Sequence, residues 1–225
     1  MRELNEDFVR FVCMISALFL LVIFNLPLLF STEGETWKLV KSKEDIDVFV
    51  RKLDDETFKE VKIIGTVDCQ ISELVASIED VPKHHTWVTR SMESRILEQL
   101  GDGHFIYYLT MDMPFPVKDR ELVIEYKRTI DTQSRKVNTI SNEYQSDFPV
   151  KQDFIRIPDY YSNYQITDLG NGQVRLEYYM KVNPGGLLPA WLVNLAVTKG
   201  PMDTMESLFE LVESGYYENA KVHGL

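Results

Sequence analysis

Apolar and polar positions alternate along most of the chain beyond residue 37, and a period of two belongs to strands. The alternation predicts strands over 37–40, 46–53 and 61–67, then over 92–100, 104–111, 121–129, 136–144, 154–157, 164–168 and 174–182. Two breaks in the rhythm predict helices. Over 71–81, Leu74, Val75 and Ile78 share one helical face ahead of Pro82, and a second short helix or turn carries His84, His85 and Trp87. Over 188–213, Leu188, Trp191, Leu192, Leu195, Met202 and Met205 form an apolar stripe that continues through Phe209, so this helix must lie on an apolar surface. Between the last two strands, Leu169-Gly170-Asn171-Gly172-Gln173 predicts a hairpin, because Asn-Gly supplies the positive φ that tight turns need.

The same period assigns side chains to faces. In 121–126, Leu122, Ile124 and Tyr126 oppose Glu121 and Glu125, which places the first set inward. Tyr107, Leu109 and Met111 point inward by the same rule, as do Leu176, Tyr178, Met180 and Val182. These faces are rich in tyrosine and methionine. Methionine adapts to irregular apolar volumes, and a buried tyrosine brings a hydroxyl that needs a partner. Pattern alone leaves two readings, a packed core or a cavity around a ligand that is mostly hydrocarbon.

The N-terminus departs from this pattern. Residues 11–30 carry no charge, and as a helix rising about 1.5 Å per residue they would reach roughly 30 Å, the thickness of a bilayer's hydrocarbon core. Residues 1–31 therefore read as a signal peptide or a membrane anchor, 32–36 as a polar linker, 37–215 as one domain and 216–225 as a tail. The expected location is exported, periplasmic or otherwise extracytoplasmic, or membrane-anchored through that segment. The full chain has 225 residues and a formal charge of −11, which argues against a nucleic-acid partner. Cys13 and Cys69 make no disulfide framework and no metal-type spacing, and the tandem His84-His85 points two ways from any regular element. No metal and no cofactor is expected. No Gly-x-Ser-x-Gly elbow or glycine-rich phosphate loop occurs, and Asp112 and Glu125 read as solvated strand edges, so no catalytic residue is assigned.

Two segments carry more specific information. Met111-Asp112-Met113-Pro114-Phe115-Pro116-Val117-Lys118-Asp119-Arg120-Glu121 is a Pro-aromatic-Pro loop running into an Asp-Arg-acid strand start. Asn183-Pro184-Gly185-Gly186-Leu187-Leu188-Pro189-Ala190-Trp191 is a Pro-Gly-Gly turn opening the last helix. In order, spacing and flanking pattern the chain from about 37 to 212 resembles the StAR-related lipid-transfer (START) family, in a single-domain form of bacterial type. The resemblance implies an α+β helix-grip fold, in which a curved antiparallel sheet wraps a long C-terminal helix around an internal apolar cavity. It implies binding and transfer of a lipid or other hydrophobic molecule. Contact with a membrane surface would be transient or through the N-terminal anchor, and no protein partner is indicated.

The cavity set is then Tyr107, Leu109, Met111, Leu122, Ile124, Tyr126, Tyr178 and Met180, with Leu188, Trp191, Leu195, Met202 and Met205 from the helix. In the family the loop matching 113–118 and the C-terminal helix form the mouth, which makes Met113, Pro114, Phe115, Pro116 and Val117 a gate. The prolines stiffen it, and Met113, Phe115 and Val117 give it an apolar tip. Arg120 is expected to order this loop through carboxylates such as Asp119, or to touch the polar part of a ligand. Sterol-binding relatives pair an acid with a base where this chain has Tyr107 and Tyr126, and relatives carry tryptophan where Tyr164 stands. Gly200-Pro201 implies a kink or a hinge in the last helix. Two other readings stand beside the carrier: a cyclase- or hydrolase-like enzyme acting on a hydrophobic substrate, and a ligand-sensing module for a protein partner.

Overall fold

The computed structural model describes residues 36–52, 58–188 and 190–225, with the side chains of 190, 191 and 193–198 left out. The apolar segment 1–31 and nearly all of the linker lie outside the described residues, and no described helix is long and apolar enough to cross a membrane.

The strands are β1 (Lys38–Lys43), β2 (Ile46–Arg51), β3 (Glu60–Asp68), β4 (Ser91–Gly101), β5 (His104–Met111), β6 (Asp119–Asp131), β7 (Lys136–Glu143), β8 (Phe154–Arg156), β9 (Asp159–Gly170) and β10 (Gln173–Asn183). Helices α1 (Ile71–Glu79) and α2 (His84–Trp87), joined by a 3₁₀ turn at Val81–Lys83, link β3 to β4, and α3 (Ala190–Glu213) follows β10. The sheet order is β1-β2-β3-β10-β9-β7-β6-β5-β4, with β8 pairing to β6 in parallel and every other neighbour antiparallel. Pairing of β3 with β10, the last strand in sequence, draws the two ends of the domain into one curved sheet. Bulges in β4 at Ser91/Glu93, Ile96/Glu98 and Gln99/Gly101 bend that edge and interrupt its ladder.

Local chemistry explains the elements. Asn171 and Gly172 adopt φ of 61° and 80°, closing the β9–β10 hairpin where the Asn-Gly pair predicts it. The Glu73 carboxylate accepts the Gln70 backbone N–H at 2.9 Å and closes the first turn of α1, which ends short of Pro82. Strand β9 exceeds its pattern most, starting at Asp159 rather than 164. Tyr160 and Tyr161 are adjacent aromatics that break the alternation, but β10 offers partners along its whole length, from Gly170 opposite Gln173 to Asp159 opposite Asn183.

Helix α3 grips the sheet across β2 and β3, and it continues through Pro201 without a break. Contact is closest at Gly65, where a Cβ would stand 2.7 Å from Cε2 of Phe209. Only a residue without a side chain lets that buried ring lie on the strand. Gly65→Ala is therefore expected to cost about 1–3 kcal/mol through overpacking, read as a lowered urea midpoint with an unchanged m-value.

The outer face of β5 and β6 is also covered. Glu121 points outward, as alternation requires, yet its side chain is completely buried rather than solvated because the segment 144–153 straps across it. Tyr108 Oη donates to Glu121 Oε2 at 2.7 Å, the Lys151 N–H donates to the same oxygen at 3.1 Å, and Arg156 donates to Oε1 from Nε at 2.9 Å. Phe148 of the strap packs on Tyr108 with ring centroids 5.0 Å apart, and the Arg95 guanidinium lies over both rings.

Candidate functional site

Between the inner face of the sheet and α3 lies a cavity of about 700 Å³. Alternation delivers its sheet wall. Phe105, Tyr107, Leu109 and Met111 come from β5, Leu122 and Tyr126 from β6, and Tyr178, Met180 and Val182 from β10. Helix α3 adds Leu192, Pro201 and Met205, while the α1–α2 region adds Ile78, His84 and Trp87.

Three expected wall residues stand elsewhere. Ile124 is fully buried and absent from the wall, because the rings of Phe105, Tyr107 and Tyr126 outreach it; Tyr107 is its cross-strand partner, and the Phe105 and Tyr126 rings stack at 4.6 Å. Met202 is likewise fully buried and packs into the core rather than the wall, although Met205 reaches the cavity. Leu188 precedes α3 and does not line the space. The side chains of Trp191 and Leu195 lie outside the described residues.

At the mouth, Met113 lines the cavity, Pro114 and Val117 are half-buried, and Phe115 and Pro116 project outward, with Phe115 94 % exposed. The Met113 N–H donates to Asp119 Oδ1 at 2.9 Å, and the Val117 N–H to the Pro114 carbonyl at 3.0 Å, which fixes the loop. Arg120 is 2 % exposed, and its guanidinium binds carbonyls rather than the expected carboxylates. Nε donates to Pro184 O at 2.9 Å, Nη2 to Gly185 O at 2.9 Å, and Nη1 to Lys118 O. One buried cation thus fastens the gate loop to the Pro-Gly-Gly turn. Burial lowers its pKa, and nearby Asp119 partly offsets this. Gly185 and Gly186 hold φ of 67° and 65°, a turn other residues adopt only with strain. Just beyond, Leu187 is completely exposed, a second apolar tip beside the first.

Polar groups are graded along the cavity. Towards the exposed end they are charged and paired, Arg90 Nη1 with Asp112 Oδ2 at 2.6 Å and Lys199 Nζ with Asp203 Oδ2 at 2.6 Å. The buried groups on the wall are hydroxyls, the His84 imidazole and the Arg120 guanidinium, the last engaged by the three carbonyls named above. Tyr126 Oη donates to Glu79 Oε1 at 3.0 Å, which takes it out of the role its position has in sterol binders, and Tyr160 Oη donates to Ser162 Oγ at 3.0 Å. Burial holds Tyr107, Tyr126 and Tyr178 well above the ordinary phenol value and raises Tyr164 too, so all are neutral donors at physiological pH.

His84 is 6 % exposed, and burial pushes its pKa down to about 4, with the Ile78 carbonyl and Asp80 opposing weakly. A folded value below the unfolded value of 6.5 means that protons favour the unfolded chain. The neutral ring's stabilisation is complete above pH 6.5 and is lost as pH falls towards 4, by about 3 kcal/mol in all. Replacing His84 with leucine is expected to flatten the stability–pH curve over that window, measured by urea titrations at successive pH values.

Several wall residues stand outside the set the sequence predicts, among them Phe105, Trp87, Tyr160 and Ser162. Phe105 shares the parity of Tyr107 and was legible. Tyr160 and Ser162 sit in the stretch of β9 without alternation, and the four-residue α2 that carries Trp87 is too short to show a period.

The START domain family model matches residues 27–214. Rat phosphatidylcholine transfer protein is 30 % identical over 172 residues, covering 74 % of this chain and 79 % of the relative. An uncharacterized Pseudomonas aeruginosa protein is 26 % identical over 183 residues, 80 % of this chain and 88 % of its own length. In fold, the crystal structure of a STAR-related lipid transfer protein fragment from Xanthomonas axonopodis superposes with a TM-score of 0.72 at 22 % identity, covering 79 % of this chain and 98 % of the fragment. By the family model and these relatives, the chain belongs to the START domain family.

Proposed function

We propose that this protein binds a lipid in the cavity between sheet and α3 and carries it between membranes without a chemical step. The observation that carries the reading is the cavity itself, a space of about 700 Å³ walled by methionine, aliphatic and aromatic side chains. Protein interiors are normally packed to the density of organic crystals, so a void of this size in a core signals a guest. Exposing a sixteen-carbon chain to water costs about 13 kcal/mol at roughly 0.8 kcal/mol per methylene, which makes unaided exchange slow. An enclosed apolar space removes that barrier by burial alone. The name of the rat relative supports a lipid as cargo. Paired charges at the mouth, Arg90 with Asp112 and Lys199 with Asp203, favour a carrier over an enzyme, since each carboxylate is already neutralised by a cation.

The mouth supplies the membrane contact. Phe115 and Leu187 project from two loops that Arg120 fastens together, and each gains about 1.5–3 kcal/mol if buried in acyl chains. The double substitution Phe115→Asp, Leu187→Asp is expected to slow vesicle-to-vesicle transfer of a fluorescent lipid by at least tenfold while leaving the amount of bound lipid unchanged. Equal transfer rates would remove these tips from the docking surface. Residues 11–30 are proposed to export the protein or hold it in a membrane; carbonate extraction of cell membranes, with N-terminal sequencing of the mature protein, separates the two. Transfer by the full chain tests the function, because a protein that binds lipid and never accelerates exchange is not a carrier.

A further inference from the structure

The reading of the cavity as a lipid site leaves open which polar group the lipid brings, and the deep wall addresses that. His84 Nε2 lies 2.9 Å from the Ile78 carbonyl oxygen. A carbonyl only accepts, so this nitrogen carries the proton, and Nδ1 of the neutral ring is left as a bare lone pair. No donor among the described residues reaches it. The ring stands edge-on to Tyr107, with centroids 5.5 Å apart, and both residues line the cavity. The Tyr107 hydroxyl is buried and has no hydrogen-bond partner among the described residues, unlike those of Tyr126 and Tyr160, which are engaged with Glu79 and Ser162. His84 Nδ1 and the Tyr107 hydroxyl on the ring beside it are thus an acceptor and a donor that face the same apolar space unmatched, with the buried Trp87 indole N–H and Tyr164 hydroxyl as further unmatched donors on that wall. Leaving such groups unpaired is costly, and a native interior does so where a ligand completes them.

We infer that His84 and Tyr107 form a subsite for an uncharged hydroxyl group on the lipid, which donates to His84 Nδ1 and accepts from Tyr107 Oη. An alcohol satisfies both at once, whereas an ether satisfies only Tyr107 and a hydrocarbon neither. A charged head group is disfavoured there, because His84 and Tyr107 offer it no counter-ion, the Arg120 guanidinium on the cavity wall is already engaged by three backbone carbonyls at the gate, and the ion pairs involve exposed side chains. The protein is thus a carrier for a hydroxyl-bearing neutral lipid whose polar end lies inside the cavity.

The test uses the full chain immobilised on beads and incubated with dodecyl maltoside micelles containing equal amounts of octadecanol, its methyl ether and dioleoyl phosphatidylcholine. After washing with probe-free micelles, the retained probes are extracted and quantified by mass spectrometry. The expected result is retention of the alcohol over the ether by about tenfold, the worth of one hydrogen bond to a desolvated partner. His84→Leu should bring that ratio close to one, and Tyr107→Phe should lower retention of alcohol and ether together by several-fold. Should His84→Leu fail to fold, the wild-type ratio and the Tyr107→Phe result still decide. Equal retention of alcohol and ether, or preference for the phosphatidylcholine, overturns the hydroxyl subsite and leaves the lipid-binding cavity standing. Retention of none of the three overturns both.

Discussion

Replacing Met180 with tryptophan is expected to empty the protein of lipid and leave it folded. Met180 stands on β10 between Val61 of β3 and Ser162 of β9, and its side chain forms part of the cavity wall. An indole is larger than a thioether chain by roughly the volume of two water molecules, at about 30 Å³ each. In a filled core that excess forces neighbours off their rotamers and costs about 1–3 kcal/mol. Beside a cavity it goes into open space and adds buried apolar area, so stability should hold or rise by up to about 1 kcal/mol. The loss appears in binding, because the indole occupies the path of the acyl chain. Bound lipid, extracted and quantified per chain, should fall at least tenfold while the melting temperature does not drop. Ile124→Trp provides the contrast: this neighbouring inward position is fully buried and off the wall, so there the same indole should destabilise by about 1–3 kcal/mol. If both substitutions destabilise alike, the space behind Met180 is not open.

The second large effect is on the opposite face of the sheet. Glu121→Ala is expected to cost about 3–5 kcal/mol, because removing one member of a buried ion cluster strands the others. Glu121 holds the Arg156 guanidinium, the Tyr108 hydroxyl and the Lys151 backbone N–H, and through them the strap over 144–153 and strand β8. Alanine would leave a buried phenol without an acceptor and a largely buried guanidinium without its carboxylate. The neighbouring Arg120 faces the other way and clamps the mouth, so two successive residues at the start of β6 fix the strap outside and the gate inside. A urea titration measures the cost, with amide hydrogen exchange expected to show the strap losing protection first. A cost below about 1 kcal/mol would mean that the cluster is exposed to water in solution.

These two residues also mark where the sequence stopped being legible. The unbroken pleat of β5, β6 and most of β10 makes face assignment a matter of parity, which is why Tyr107, Leu109, Met111, Leu122, Tyr126, Tyr178 and Met180 are all found on the wall. Parity tells which way a side chain points and not what stands in front of it. Ile124 has the right parity but shorter reach than the rings around it, and Glu121 points outward into a strap contributed by residues far along the chain. Arg120 was expected to seek carboxylates, and its partners are backbone carbonyls, which no side-chain pattern reports. His84 has no metal-type spacing in the sequence and no other signal of a site. Its role on the wall depends on the Ile78 carbonyl selecting one tautomer, a contact between two helical segments that has no signature in spacing.

Native mass spectrometry of the full chain, purified without denaturation and then incubated with liposomes, tests the hollow interior most directly. The expected spectrum shows the polypeptide carrying one lipid molecule per chain, reduced to bare polypeptide by Met180→Trp. Bare polypeptide from the wild-type chain after exposure to liposomes would contradict a lipid-filled cavity.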